Sequence, residues 1–186
     1  MQIETLVTYL EMKSPPTKCF SQASFSGRKV EIANWNKPNV ETYRFLYNTV
    51  GAAWTWIERR LLNDNQLLDT ITKTNVEIYL IRVDSVVAGF SEIVWSQNHE
   101  RSEIKYFGLM PEFIGLGLGR YFLSSIINKA WRDSTQRVAV NTCDLDHPKA
   151  LDLYISCGFE IIKTELENLP DPTQVGLPFP SRGPKR

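Results

Sequence analysis

Tyr106-Phe-Gly-Leu-Met-Pro-Glu-Phe-Ile-Gly-Leu-Gly-Leu-Gly-Arg120 carries four of the chain's ten glycines, at 108, 115, 117 and 119. It joins a run of strand character at 102–110 to the clearest helical pattern of the chain at 118–131. In that helix apolar residues at 118, 122, 123, 126, 127, 130 and 131 leave Arg120, Ser124, Asn128 and Lys129 outside. Glycines spaced by two let backbone N–H groups converge without interference from Cβ, and the following helix adds the positive end of its dipole. Such a turn suits a phosphate, and it competes with a plain strand-to-helix turn that holds no ligand. Neither familiar nucleotide motif fits. A P-loop needs a lysine after its last glycine, where this chain has Arg120, and the GxGxxG fingerprint is replaced by Gly115-Leu-Gly117-Leu-Gly119.

Upstream of this junction the pattern predicts strands over 3–12 and 29–35, then a helix capped by Asn39. Val40, Tyr43, Tyr47 and Val50 lie on one face of that helix, and Gly51 stops it. A second helix is expected over 65–72, with Leu67, Leu68 and Ile71 on one side. Strands over 76–83 and 86–95, joined by Asp84-Ser85, read as an antiparallel hairpin. Downstream, a strand over 137–141, a helix over 148–156 and a strand over 159–164 complete the alternation. The fold class is α/β, a mixed and mostly antiparallel sheet flanked by helices. Five prolines between Pro170 and Pro184 mark 166–186 as a Pro-rich arm after a single domain at 1–165, and 13–29 reads as a loop.

A chain of 186 residues with 42% hydrophobic content supports one packed core, and 21 basic against 21 acidic side chains argue against a nucleic-acid coat. No apolar run approaches the roughly 18 residues of a membrane span, and the N-terminus lacks a signal-peptide pattern, so the expected location is cytoplasmic. Three cysteines without a CxxC pair and two histidines give no disulfide frame and no histidine-rich metal site. Cys143 and Cys157 read as packed apolar residues rather than nucleophiles.

The segment 109–119 resembles the pyrophosphate-binding motif of the GNAT superfamily of N-acetyltransferases. His147-Pro-Lys-Ala150-Leu-Asp-Leu-Tyr154-Ile-Ser-Cys-Gly158-Phe159 resembles the superfamily's second signature, in the right order and at the right separation. The resemblance spans about 76–164 and implies a splayed mixed sheet and acetyl-CoA as acyl donor. It implies that Ile114, Gly115, Leu116, Gly117, Leu118, Gly119 and Arg120 wrap the CoA pyrophosphate. By the same resemblance Phe107, Leu109 and Met110 meet the pantetheine arm, one strand N–H faces the acetyl oxygen, and Tyr154 lies near the CoA sulfur as general acid. His147 and Ala150 belong to the same cofactor surface. Two positions depart from the pattern: Ile114 stands where Arg or Gln is usual, and His147 where Asn is usual.

Acetyl transfer to a primary amine needs a base, because an amine with a pKa of about 10.4 is protonated at neutral pH. Glu103, at the entry of the glycine-bearing strand, is the first candidate and Glu92 the second. Arg120, Lys149 and Lys105 are candidates for a positive rim around CoA. The acceptor is expected to be selected by the N-terminal half, where Trp35, Trp54, Trp56 and Trp95 lie. There 43–60 reads as an amphipathic cover, in preference to a pocket wall. An alternative reading is a catalytically silent acyl-CoA-binding module that regulates a partner. A homodimer is compatible with both.

Overall fold

The computed structural model describes residues 2–16 and 27–180 of the chain. Most of the expected 13–29 loop, with Cys19, and the last six residues of the arm lie outside the described residues. Seven strands form one sheet: β1 (Gln2–Met12), β2 (Val30–Asn34), β3 (Val76–Val83), β4 (Val86–Trp95), β5 (Arg101–Leu109), β6 (Arg137–Cys143) and β7 (Glu160–Pro170). Their spatial order is β2-β3-β4-β5-β6-β1-β7, and every neighbouring pair is antiparallel except β5–β6. The α-helices are α1 (Val40–Gly51), α2 (Asp64–Ile71), α3 (Leu118–Ala130) and α4 (Ala150–Ser156).

Local chemistry accounts for these boundaries. The Asn39 side chain accepts the Thr42 N–H at 2.9 Å and opens α1, while Asn63 and Gln66 form a reciprocal capping box that opens α2. Asp84 and Ser85 both have positive φ, as a two-residue hairpin turn between twisted strands requires. Leu67 and Ile71 are buried, whereas Leu68, expected beside them, is exposed on the outer face of α2.

α1 and α3 lie on opposite faces of the sheet. Tyr106 packs edge-on against Tyr47 of α1 with ring centroids 5.0 Å apart, and its neighbour Phe107 meets Phe122 of α3 at 5.2 Å. Side chains from both layers, including Tyr43, Leu46, Phe90, Leu123 and Ile126, join in a continuous buried core. Among the described residues no helix is long and apolar enough to cross a membrane.

β7 is longer than the sequence pattern predicts and crosses the expected domain end at 165. It pairs with β1 along its length, up to Gln2 opposite Pro170. β7 is an edge strand, so proline at its last position costs no bond on its outer side. The chain then makes a short 3-10 turn, Pro172–Val175, and buries Leu177 to 7% exposure. The described part of the Pro-rich arm thus continues β7 and buries Pro172 and Leu177, while Phe179 is exposed.

Candidate active site

β5 and β6 pair in parallel only from Arg101–Arg137 to Ile104–Val140. Beyond Ile104, β5 follows β4 while β6 follows β1, so the two strands part and the sheet opens into a cleft. A cavity of about 530 Å³ fills that opening. Its walls come from β5, the glycine turn, α4 with the loop before it, the turns after α1, and the β1–β7 edge.

At one end the backbone makes the site. Gly115 and Gly117 have φ of +85° and +81°, and a Cβ added at either would meet no protein atom within 4 Å. Gly117 caps α3 without any side-chain cap bond. The turn therefore presents bare backbone and a helix N-terminus to the cavity, the arrangement that stabilises a phosphate. Ile114, Gly119 and Arg120 also line the cavity. Leu116 is exposed outside it and Leu118 is buried in the core, so these two do not form its lining.

The strand contributes polar backbone groups on its unpaired side. Met110 N donates to Ala88 O of β4 at 2.9 Å. Alternation along a strand then turns the N–H groups of Leu109 and Phe107 away from β4, toward the cleft. Met110 was expected to contact the cofactor, but its N–H is spent within the sheet and its side chain is buried; Phe107 and Leu109 line the cavity.

From the opposite wall, Ala150 and Tyr154 of α4 border the cavity, together with His147. His147 Nδ1 accepts the Lys149 N–H at 3.1 Å, so the proton of a neutral ring resides on Nε2, which is left as the donor. The ring packs edge-on to Trp54, centroids 4.9 Å apart, joining the two sides of the cleft. Tyr154 is 7% exposed. Burial, reinforced by the negative charge of Asp146, holds its hydroxyl pKa above the ordinary phenol range, so it keeps its proton at neutral pH.

The two carboxylates expected as bases lie elsewhere. Glu92 is fully buried and accepts from Tyr43 Oη and Arg59 Nη2, each at 2.6 Å, which makes it half of an internal ion pair. Glu103 does not border the cavity; it stands 3.5 Å from Arg101 and 4.0 Å from Lys105 on the sheet surface. The two placements have separate causes: Glu92 on β4 is paired with Arg59 from the turn after α1, and Glu103 on β5 stands beside Arg101 and Lys105. The acids that do line the cavity are Glu58, Asp146 and Glu167. Glu58 accepts from Tyr106 Oη and lies 3.4 Å from Lys105, whose ammonium keeps the carboxyl pKa low despite partial burial.

Segment 43–60 serves both purposes considered for it. α1 covers β4 and β5, while Tyr47, Val50, Trp54, Trp56, Ile57 and Glu58 wall the cavity. Close packing makes this possible: a Cβ on Gly108 would fall 2.3 Å from Val50 Cγ1. Trp95 is instead a core residue. Of the cysteines, Cys157 is packed in the core as expected, whereas Cys143 borders the cavity. Burial pushes its thiol pKa up to about 11, so it is not a ready nucleophile.

Residues 42–159 match the acetyltransferase (GNAT) family model. Solved structures share the fold at low identity. A GCN5-related N-acetyltransferase from Sphaerobacter thermophilus superposes with a TM-score of 0.60 at 12% identity, over 88% of this chain and 50% of that one. A conserved protein of unknown function from Staphylococcus epidermidis gives 0.59 at 16% identity, over 90% and 62%. An aminoglycoside N-acetyltransferase in complex with CoA gives 0.53 at 17% identity, over 75% and 91%. The chain thus spans about half to two thirds of the length of the first two. No curated protein matches it in sequence.

Proposed function

The chain belongs to the GNAT family of acetyltransferases, and on that premise we propose that it moves an acetyl group from acetyl-CoA to a primary amine by direct attack in a ternary complex. The observation that carries this reading is the cleft itself. A backbone turn suited to pyrophosphate, strand N–H groups of Phe107 and Leu109, and the protonated hydroxyl of Tyr154 border one cavity.

In this reading Gly115, Gly117 and the start of α3 receive the pyrophosphate, with Arg120 and Lys149 at the rim. His147 Nε2 and the open edge of β5 hold the pantetheine, and a β5 N–H stabilises the oxyanion that forms at the thioester carbonyl. Tyr154 donates its proton to the departing CoA sulfur. No covalent enzyme intermediate is required, in keeping with a Cys143 thiol that stays protonated.

The test is a thiol-release assay over an amine panel with acetyl-, propionyl- and succinyl-CoA. Amine-dependent release of CoA supports the transferase. Tight acyl-CoA binding with no release on any amine supports the silent binding module instead.

A further inference from the structure

Among the three carboxylates that line the cavity, Asp146 occupies a distinct position. Glu58 has the Lys105 ammonium beside it, and Glu167 accepts the Tyr9 hydroxyl on the β1–β7 side. Asp146 lies in the loop between β6 and α4. Its Oδ2 accepts from Thr142 Oγ1 at 2.7 Å and from Cys143 N at 3.0 Å, which fixes the carboxylate on the cavity wall. The indole of Trp56 lies near enough to favour its charged form. Its hydrogen-bond partners, the Thr142 hydroxyl and the Cys143 N–H, are neutral, and so is the nearby Trp56 indole. A partly buried carboxylate with only neutral donors is favoured by a cation that completes it. The cavity beside it offers the place for one.

We propose that Asp146 is the acceptor-binding base: its carboxylate receives the ammonium of a primary amine with an apolar body and removes its proton. This rests on the acetyl-transfer reading above and names the acceptor end of the same site. The apolar body follows from the walls of the same cavity, where Trp54, Trp56, Tyr47, Ile57 and Leu61 line it, with Trp56 next to Asp146. Among the described residues Glu167 also lacks an ion pair, but Asp146 is the one of the two whose charge acts on Tyr154, so an ammonium held there lies beside the acid of the proposed reaction.

The proton count closes. Asp146 takes one proton from the ammonium, and the freed amine lone pair forms the C–N bond at the thioester carbonyl. As the tetrahedral adduct collapses, the C–S bond breaks, Tyr154 protonates the sulfur, and the remaining surplus N–H proton restores Tyr154. The net proton rests on Asp146 and passes to solvent with product. Burial raises the Asp146 pKa above the usual carboxylate range, which makes it a better proton acceptor than an exposed aspartate.

The same burial sets a stability signature. A carboxyl whose pKa is raised on folding binds its proton more tightly in the folded state, so stability falls as pH rises through the interval between the unfolded and folded values. Above that interval the charge destabilises the fold. The titrating groups in electrostatic contact with it are Tyr154 from α4 and Cys143 from β6; Thr142 and Trp56 are neutral.

The experiment compares wild type, Asp146→Asn and Asp144→Asn with 2-phenylethylamine and spermidine as acceptors. The amide keeps an oxygen for Thr142 and Cys143 but takes no proton. Asp144 lies outside the cavity and accepts the Leu6 N–H at 3.2 Å, so its variant serves as the control. Expected results are a loss of at least about 100-fold in kcat/KM for Asp146→Asn on 2-phenylethylamine, acetyl-CoA affinity within about twofold, and a control within about twofold. The Asn variant should also melt above wild type at pH 7.5, with the gap closing in acid. Retention of more than a third of wild-type kcat/KM, or a lower melting temperature at pH 7.5, overturns the assignment and leaves acetyl transfer standing. A preference for spermidine overturns the apolar-bodied acceptor. Wild type that releases CoA with no amine removes the transferase reading, and the base with it.

Discussion

The two ends of the cleft are made of different material. The end proposed for the phosphate is backbone: two glycines in left-handed conformation, a helix N-terminus and the open edge of one strand. The end proposed for the acceptor is side chain, gathered from the turns after α1, from β5, from the β6–α4 loop and from the β1–β7 edge. A backbone site is written within a few consecutive residues, because glycine spacing alone determines which conformations are open. A side-chain site exists only after distant elements have packed. The first end should respond to changes of shape, and the second to changes of charge.

The largest effect expected tests the support of the acceptor end. Arg59 is 13% exposed and its partner Glu92 is fully buried, so Arg59→Met leaves a carboxylate in the core without its cation. The expected cost is about 3–5 kcal/mol of folding stability, read by chemical denaturation. The Glu58–Arg60 turn that carries Ile57 and Glu58 to the cavity is anchored by this pair, so acceptor KM should rise in whatever fraction stays folded. A loss below about 1 kcal/mol would show that the wall is held by its aromatic packing instead.

Glu92 also shows why only half of the site was legible. The Asp84-Ser85 turn and the apolar runs beside it predict strand β4, yet nothing in that pattern distinguishes a carboxylate aimed at a cleft from one met by an arginine of another element. Asp146 carries no sequence signal for a related reason. It sits among Asp144, Asp152 and other acids in sequence, and only the parting of β5 from β6 makes it border the cavity. The glycine turn, the α3 stripe, the Asn39 cap and the Asp84-Ser85 hairpin needed no such information. β7 was cut short because prolines mark an end but do not say whether the strand before them lies at an edge.

Tyr154→Phe sharpens the comparison at the point where the two ends meet. It deletes one oxygen and keeps the ring that packs 6.0 Å from Phe159, so folding and acetyl-CoA affinity should hold. The proton for the leaving thiolate disappears, and kcat should fall by about 100-fold, the low end for general acid assistance because a thiolate departs readily. Turnover within about twofold of wild type at unchanged affinity would remove Tyr154 as the acid.

Gly117→Val attacks the backbone end by shape alone. A β-branched residue is strained at a φ of +81°, and its side chain would project into space the phosphate requires. Acetyl-CoA affinity should fall at least about tenfold, about 1.4 kcal/mol, with no change in local charge. Calorimetry on a folded variant that shows unchanged affinity would remove the phosphate cradle.

The smallest effect is expected from Glu103→Gln, and its smallness is the informative part. Glu103 shares a strand with Phe107 and Leu109, so chain proximity alone would make it a base. Its carboxylate nevertheless lies between Arg101 and Lys105 outside the cavity. Partly exposed pairs of this kind contribute about 0–1 kcal/mol, so the variant should keep its stability to within that amount. kcat and acceptor KM should each stay within about twofold, and the pH–rate profile should keep its acidic limb. A fall of tenfold or more in kcat with that limb displaced would return the base to β5. It would also mean that the Glu103 carboxylate leaves Arg101 and turns toward the cavity beside Lys105 when acetyl-CoA binds.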